Sequence, residues 1–267
     1  MKIAYSPCPN DTFVFHAWAH DLLPGAPALD VAFADIDITN SAVERGEFDV
    51  AKVSYAALPW LLRDYALLPS GGALGRGCGP LVLTRDPLGS LDGRTVAVPG
   101  ERSTAYLLFR LWATGQRPAR IDVVPFAQIM PAVRDGSYDA GLVIHEARFT
   151  YPSYGLTSLV DLGAWWEEDT GLPIPLGAIV ARRSLDVAAL AGWARASVEY
   201  AWAHPDASAQ YVAEHAAEMA PDVQRRHIDL YVNEFTRDLG EEGYAAAETL
   251  LARANQAELT PNNPPLR

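Results

Sequence analysis

The chain has 267 residues, of which 49% are hydrophobic and 20% charged. This length exceeds the usual size of one domain, so we expect two lobes or one large α/β domain. The formal net charge of −12 argues against a nucleic acid or an anionic membrane surface as the partner. A small-molecule partner, including an anion bound by a local cluster of donors, is compatible with this charge.

Cysteine content and the N-terminal residues bear on the cellular compartment. Cys8 and Cys78 are the only two cysteines and lack the spacing of metal ligands, which favours free thiols in a reducing compartment. The first residues carry no apolar stretch typical of a secretory signal peptide. The sequence also lacks an apolar run long enough to cross a bilayer. We therefore expect a cytoplasmic protein.

Short apolar runs that predict strands alternate with helical patterns along the chain, as in βαβ units with a largely parallel sheet. Strands are predicted at 2–6, 30–36, 49–54, 80–85, 93–100, 120–126, 138–146 and 175–183. Helices are predicted at 11–23, 39–47, 55–65, 103–114 and 127–136, followed by a helical pattern from Ser184 to about residue 256. Asn10 or Asp11 is the expected N-cap of the first helix.

The strands at 80–85 and 175–183 bracket a middle block of the chain. We interpret this block as a second lobe at 87–175, inserted into a first α/β lobe formed by 1–86 and 176–267 with the C-terminal helices. This layout predicts an α/β, two-lobed type II periplasmic-binding-protein-like fold. In such a fold the ligand, or the active site, lies in the cleft between the lobes.

Polar segments follow four of the predicted strands, at the ends where open α/β sheets bind ligands. They are "SPCPND", "KVS", "ERSTA" and "HE", two in each predicted lobe. We therefore expect all four to face one cleft. The prolines of "SPCPND" stiffen the turn, so Ser6, Asn10 and Thr12 would offer preorganised hydrogen bonds to a hydroxylated ligand.

Two of these segments have features of an anion site. Ser103 and Thr104 begin a predicted helix, where free backbone N–H groups and the helix dipole favour negative charge. Ser54 occupies the matching position in the first lobe, and Lys52 lies two residues upstream on the same strand face. Together they predict a site for a carboxylate or a hydroxyl-rich ligand. The alternative is that the hydroxyls are only helix caps and that Lys52 is solvated.

His145 is the leading candidate for catalysis. It ends the apolar strand "AGLVI", and a histidine pKa of about 6.5 suits proton transfer at neutral pH. The alternative is a structural histidine. The segment "HEARF" is not HExxH, which excludes that zinc-protease motif. His16 and His20 have the i, i+4 spacing of metal ligands, but without a third ligand we interpret them as surface or packing residues.

The segment "SGGALGRGCG" resembles a phosphate-binding loop only weakly, because it lacks GK[ST] and precedes a strand. We interpret it as a glycine-rich approach to the crossing between lobes, with Arg76 reaching the cleft. Trp165 and Trp166 either stack on an aromatic ligand or pack in the core. Cys8 is expected to be a packed thiol, because the sequence places no base beside it.

Five segments, taken together and in this order, resemble the 1,4-dihydroxy-6-naphthoate synthase family of the futalosine route to menaquinone. They are "SPCPNDTFVFHA", "KVSYAALP", "SGGALGRGCGPLV", "GLVIHEARFTYPSYGL" and "DLGAWWEEDTGLPIPLGAI". The resemblance extends to about residue 182 and thins in the C-terminal helices. Five matches in series are more specific than any one of them.

This resemblance implies the two-lobed fold and a lyase that converts cyclic dehypoxanthinylfutalosine to 1,4-dihydroxy-6-naphthoate with release of dihydroxyacetone. It implies no metal and no organic cofactor. The histidine of the family's "IHE" motif, the proton acceptor, corresponds to His145. The substrate-holding positions correspond to Lys52, Val53, Ser54, Thr104 and Ala105. One departure is Glu101, which adds an acidic residue to the "PGERSTA" loop.

Two other functions fit the same pattern. Chorismate dehydratase shares the fold and the pathway, but it should lack both the "SPCPND" turn and the histidine of "IHEARFTY". A solute-binding protein of a transporter would share the fold as well. Such proteins work outside the cytoplasmic membrane, so the expected absence of a signal peptide counts against this alternative.

Overall fold

The computed structural model describes residues 1–216, 220–262 and 265–266. Its strands are β1 Lys2–Tyr5, β2 Asp30–Phe33, β3 Val50–Ser54, β4 Tyr65–Gly75, β5 Leu81–Thr84, β6 Thr95–Val98, β7 Arg120–Val123, β8 Ala140–Val143, β9 Thr157–Asp161 and β10 Ile174–Arg182. Its α-helices are α1 Pro9–Ala19, α2 Ile36–Glu44, α3 Leu58–Leu61, α4 Thr104–Trp112, α5 Phe126–Arg134, α6 Ala147–Thr150, α7 Leu162–Thr170, α8 Val187–Ala203, α9 Ala209–His215, α10 Pro221–Tyr231, α11 Glu234–Arg237 and α12 Gly240–Gln256. None of the described helices is long and apolar enough to cross a membrane.

The strands form two five-stranded mixed sheets, one in each lobe. The first sheet has the order β2-β1-β3-β10-β4, in which β1 is parallel to β2 and β3, and β10 is antiparallel to its neighbours. All five residues of β3 are buried, as expected for a strand covered on both faces. The second sheet has the order β7-β6-β8-β5-β9, with β6 parallel to β7 and β8.

The first crossing between the lobes lies earlier than predicted. β5 pairs antiparallel with β8 and β9, so it belongs to the second sheet, whereas the sequence assigned 80–85 to the first lobe. We therefore propose that the second lobe begins between Gly75 and Leu81, ahead of the predicted boundary at residue 86. The chain returns with β10, which starts at Ile174 and pairs in the first sheet.

Glycine is required at the first crossing because two backbone segments meet there. A Cβ atom on Gly79 would lie 2.2 Å from the backbone nitrogen of Gly163. Arg148 donates a hydrogen bond to the Gly79 carbonyl at 2.8 Å and forms an ion pair with Asp161. Gly79 thus serves chain packing at the crossing.

A large apolar cluster connects the lobes. It includes Val53 of the first sheet, Val82 of the second sheet and Leu108 of α4. Trp166 belongs to the same cluster, and its indole N–H donates to the Pro173 carbonyl at 3.0 Å. Trp165 packs against the cluster from its edge. Both tryptophans therefore serve packing, the second of the two sequence-based interpretations.

The first helix begins earlier than its predicted start. Cys8 is the N-cap residue without a side-chain cap bond, and Pro9 is the first helical residue, the position where proline is favoured. Asn10 and Asp11 lie inside the first turn, so neither of them caps the helix. The long strand β4 was also not predicted, because its glycines are disfavoured in strands by propensity alone and are accommodated here by irregular pairing with β10.

Candidate functional site

A cavity lies between the two sheets and encloses about 640 Å³, counting the part that opens to solvent. Strand ends and helix starts from both lobes line it, as the sequence predicted. Seven of the predicted site residues are among its lining: Ser6, Asn10, Lys52, Ser54, Thr104, Ala105 and His145.

A buried ion pair forms the floor of the cavity in the first lobe. Lys52 of β3 and Asp11 of α1 form a salt bridge, with side-chain exposures of 6% and 2%. Asp11 also accepts hydrogen bonds from the Ser6 hydroxyl at 2.7 Å and the Asn10 amide at 2.8 Å. Lys52 is thus not the solvated lysine of the alternative prediction, and Asp11 is a central residue that the sequence analysis did not assign to the site.

Gly177 of β10 makes room for the lysine. A Cβ atom at Gly177 would lie 2.7 Å from Cε of Lys52, closer than two carbon atoms approach without displacement. The missing side chain on the neighbouring strand therefore lets the Lys52 stem extend across the sheet toward Asp11.

Ser54 is held in place by a neighbouring amide. Asn40 of α2 donates from Nδ2 to Ser54 Oγ at 3.1 Å and accepts from the Ser54 backbone N–H at 2.8 Å. The Ser54 hydroxyl proton has no acceptor among the described residues. Ser54 is therefore oriented with its O–H free to donate to a ligand.

The N-terminus of α4 supplies backbone donors from the second lobe. Ser103 caps the helix by accepting a hydrogen bond from the Tyr106 N–H, as in the alternative interpretation of its hydroxyl. The N–H groups of Thr104 and Ala105 have no acceptor within the part of the chain that the structure describes. The Thr104 hydroxyl itself donates to the Leu176 carbonyl at 2.7 Å, so it joins the lobes while the two N–H groups remain available to an anion.

His145 has an uncommon backbone conformation. It follows β8 with a φ of +55°, and of the three non-glycine residues with positive φ in the described ranges it is the one that lines the cavity. Left-handed conformations are rare for residues other than glycine, although histidine adopts them more often than most. Such strain is concentrated at functional sites. The conformation turns the imidazole toward the opposite lobe.

The opposite lobe contributes Cys8 as a partner for this imidazole. Cys8 Sγ lies 3.4 Å from His145 Nδ1, and the Phe126 ring packs edge-on to the imidazole at 5.9 Å between centroids. The prediction that no base lies beside Cys8 is therefore wrong, because residues distant in sequence meet across the cleft. Cys8 is in a position to orient His145.

The environment of His145 changes its proton affinity. Burial alone would lower the His145 pKa. The charge of Cys8, its hydrogen bond to the imidazole and the carboxylates of Glu146 and Asp11 have the opposite effect, and together they raise the pKa to about 9. Negative charge near an imidazole stabilises its protonated form. The unprotonated imidazole is thus a stronger base than a free histidine.

His227 of α10 is a cavity-lining residue that the sequence analysis missed. Its side chain is fully buried, its Nε2 lies 3.0 Å from Asn10 Oδ1, and its ring is nearly parallel to that of His145, with 6.1 Å between centroids. It is 217 residues from Asn10 in the chain. A lone histidine within a polar helical pattern gave no signal, since only the packing of α10 on α1 brings it to the site.

Three predicted ligand-binding residues, Val53, Thr12 and Arg76, do not line the cavity. Val53 is fully buried in the apolar cluster, because its side chain points to the opposite sheet face from Lys52 and Ser54. The Thr12 hydroxyl donates to the carbonyls of Cys8 and Pro9 within its own helix. Thr12 therefore stabilises the turn but does not offer the predicted hydrogen bond to a ligand.

Arg76 does not reach the cleft. Its guanidinium forms an ion pair with Glu242 at 2.8 Å, lies 4.0 Å from Glu167 and donates to the Gly171 carbonyl at 3.0 Å. The side chain is half exposed. The prediction that Arg76 reaches the cleft to bind a ligand is wrong, because acidic residues on α7 and α12 hold its guanidinium on the surface.

The remaining candidates lie away from the cavity. Glu101 is exposed and lines a separate surface hollow, so the acidic residue of the "PGERSTA" loop does not oppose an anion in the cleft. His16 and His20 pack ring to ring at 4.5 Å, in agreement with their interpretation as packing residues. Within the described ranges, no group of three His, Cys, Asp or Glu residues is placed to hold a metal ion.

Comparisons with known proteins agree on one family. A family model described as menaquinone biosynthesis matches residues 1–256. A Streptomyces coelicolor protein named 1,4-dihydroxy-6-naphthoate synthase is 67% identical, over 98% of this chain and 95% of the relative. A Thermus thermophilus protein of the same name is 46% identical, over 99% of this chain and 97% of the relative.

Solved structures agree on the fold. Protein AF1704 of Archaeoglobus fulgidus superimposes with a TM-score of 0.90 at 32% identity, covering 97% of each chain. The periplasmic aliphatic sulphonate binding protein SsuA of Escherichia coli superimposes with a TM-score of 0.70 at 15% identity, covering 100% of this chain and 90% of that one. The predicted two-lobed, periplasmic-binding-protein-like α/β fold is thereby confirmed.

Proposed function

The chain belongs to the 1,4-dihydroxy-6-naphthoate synthase family of menaquinone biosynthesis, and we propose that it is a carbon–carbon lyase acting on cyclic dehypoxanthinylfutalosine. The products are 1,4-dihydroxy-6-naphthoate and dihydroxyacetone. We also propose that it acts in the cytoplasm, where its two free cysteines would remain reduced.

His145 is the general base of this proposal. The observation that carries this assignment is its left-handed backbone conformation at the end of β8, which directs the imidazole into the cleft beside Cys8. A general base has to lie within hydrogen-bonding reach of the proton that it removes. In this proposal the substrate lies against the imidazole from the side of the first lobe.

In this proposal the carboxylate of the substrate binds at the start of α4. The free N–H groups of Thr104 and Ala105 at the start of α4 and the Ser54 hydroxyl supply donors for it. Lys52 is paired with Asp11, so its charge is already balanced. Its role is to donate a hydrogen bond to the ligand and to hold the floor of the cavity.

The separate positions of the base and the anion site match the chemistry of the proposed reaction. Removal of a proton from the sugar-derived part of the substrate by His145 starts cleavage of a carbon–carbon bond, and formation of the aromatic dihydroxynaphthalene favours the products. Groups fixed on two lobes hold the ends of one substrate, which reduces the entropic cost of reaching the reactive geometry. Burial of the site keeps water away from the reacting atoms.

The proposal is tested by incubating purified protein separately with cyclic dehypoxanthinylfutalosine and with chorismate. We expect formation of 1,4-dihydroxy-6-naphthoate from the first compound and recovery of chorismate unchanged. Dehydration of chorismate would instead favour the dehydratase. Binding of cyclic dehypoxanthinylfutalosine without any conversion would indicate a solute-binding protein.

The pH dependence of catalysis reports on His145. With a pKa of about 9, the protonated form predominates at neutral pH, so kcat/KM is expected to rise with pH, to reach half its maximum near pH 9 and to level off above it. Cys8→Ala removes the main cause of the raised pKa and leaves burial, which lowers it. The rising limb of the variant should therefore lie at lower pH than that of the wild type.

Cys78→Ala is the matched control for this measurement. Burial raises the pKa of Cys78 to about 12, so its thiol stays neutral over the range measured and its loss should leave the limb near pH 9. Coincident limbs for wild type and Cys8→Ala would show that Cys8 does not control the protonation of His145.

A further inference from the structure

One polar atom at the cavity is left without a partner. His227 is 0% exposed, and its Nδ1 has no hydrogen-bond partner among the described residues. Buried polar atoms in folded proteins are nearly always paired, and each exception calls for an explanation. The roles assigned above to His145 and the anion site make no use of this atom.

The surrounding hydrogen bonds fix which nitrogen of His227 carries the proton. The Asp11 carboxylate, paired with Lys52, acts only as an acceptor, so Asn10 turns its Nδ2 toward Asp11 Oδ1 at 2.8 Å. Asn10 Oδ1 then faces His227 Nε2 at 3.0 Å and accepts a hydrogen bond from its N–H. A neutral imidazole carries one N–H. The unpartnered Nδ1 is therefore an acceptor with a free lone pair.

The neighbours of His227 keep the imidazole neutral. Burial, His145 and Lys52 together hold the pKa of His227 well below its usual range. His145 stacks on one side at 6.1 Å and the Tyr231 ring lies 4.6 Å away. Since protonation would bring a third positive group beside Lys52 and the protonated form of His145, Nδ1 stays available as an acceptor.

We propose that His227 Nδ1 accepts a hydrogen bond from a hydroxyl of the bound substrate and so selects a hydroxylated ligand beside His145. The identity of that substrate rests on the proposed function. A donor is what this atom requires, and the sugar-derived part of cyclic dehypoxanthinylfutalosine supplies hydroxyl donors. His227 is thus a specificity-determining residue, positioned through the series Asp11, Asn10, His227.

Two substitutions test the roles of the two nitrogen atoms of the His227 ring separately. His227→Gln places an amide N–H near the position of Nε2 and keeps the bond to Asn10, but it removes the acceptor at Nδ1. His227→Asn places an oxygen near Nδ1 but loses the bond to Asn10. We expect kcat/KM to fall about tenfold or more in the glutamine variant, the size expected from an unpaired substrate hydroxyl, and to fall less in the asparagine variant.

The reverse order would overturn the proposal. Wild-type kcat/KM in His227→Gln, together with a loss in His227→Asn, would show that His227 only holds Asn10. Circular dichroism of both variants identifies any general loss of folding, and the kcat and KM values of each folded variant are compared separately. A defect mainly in KM is expected, because the hydrogen bond is formed on binding.

A second measurement requires no turnover. Nitrogen-15 spectra of histidine-labelled protein should show His227 with its proton on Nε2 and a bare Nδ1. Saturating cyclic dehypoxanthinylfutalosine, added to the His145→Asn variant, should shift the Nδ1 resonance toward that of a hydrogen-bonded acceptor. A proton on Nδ1 in the free protein, or an Nδ1 resonance that does not move, overturns the proposal. If the Nδ1 resonance shifts as expected but the wild type forms no products, only the proposed function is overturned.

Discussion

Asp11→Ala is expected to destabilise the folded protein by about 3–5 kcal/mol, the cost typical of leaving one member of a buried ion pair unpaired. Lys52 would then remain buried with its charge uncompensated, since its side chain is 6% exposed. The Ser6 hydroxyl and the Asn10 amide would lose their shared acceptor as well. The free energy of unfolding, measured with urea, gives the effect.

Two variants calibrate this measurement. Glu47→Ala breaks a surface ion pair in which the Arg45 side chain is 59% exposed and the Glu47 side chain 48%. It should change the free energy of unfolding by less than about 1 kcal/mol. The double variant Asp11→Ala with Lys52→Met removes both charges and should recover much of the loss. An Asp11→Ala effect no larger than that of Glu47→Ala would contradict the role of the pair in holding the cavity floor.

His145→Asn is expected to bind substrate but to turn it over at least about a hundredfold more slowly, the contribution typical of a general base. Asparagine is the chosen replacement because it adopts the left-handed conformation of residue 145 more readily than most residues. The loss should appear in kcat, while the dissociation constant for substrate changes little.

His20→Asn is the matched control, since His20 is an exposed histidine at the end of α1 that does not line the cavity. It should retain the kcat of the wild type. Near wild-type turnover by His145→Asn would remove His145 from the role of base, and an equal loss in both variants would indicate a general effect on the fold.

The cleft could be predicted from the sequence because open α/β sheets bind ligands at the carboxyl ends of their strands. Polar residues after β1, β3, β6 and β8 lie at the carboxyl ends of parallel strands, and these ends face one another across two lobes. This rule predicted that Ser54, Thr104 and His145 would lie at the cleft, and all three line the cavity. The N-cap at Ser103 was one of the two interpretations that the sequence left open, since capping depends on local chemistry alone.

What the sequence did not predict depends on distant contacts. Asp11 looked like a helix cap, and only its pairing with Lys52, 41 residues away, identifies it as part of the site. His227 reaches the cavity through the packing of α10 on α1. Arg76 is held on the surface by Glu242, from the far end of the chain. The sheet to which β5 belongs likewise follows from pairing with β8, which propensity does not encode.

We propose cleavage of a carbon–carbon bond in this cleft, with His145 as the base. Its most direct test is a single-turnover experiment in which excess protein is mixed with cyclic dehypoxanthinylfutalosine and both products are quantified over time. We expect equal amounts of 1,4-dihydroxy-6-naphthoate and dihydroxyacetone from the wild type, formed at least about a hundredfold more slowly by His145→Asn. Recovery of bound, unchanged substrate from the wild type would contradict it.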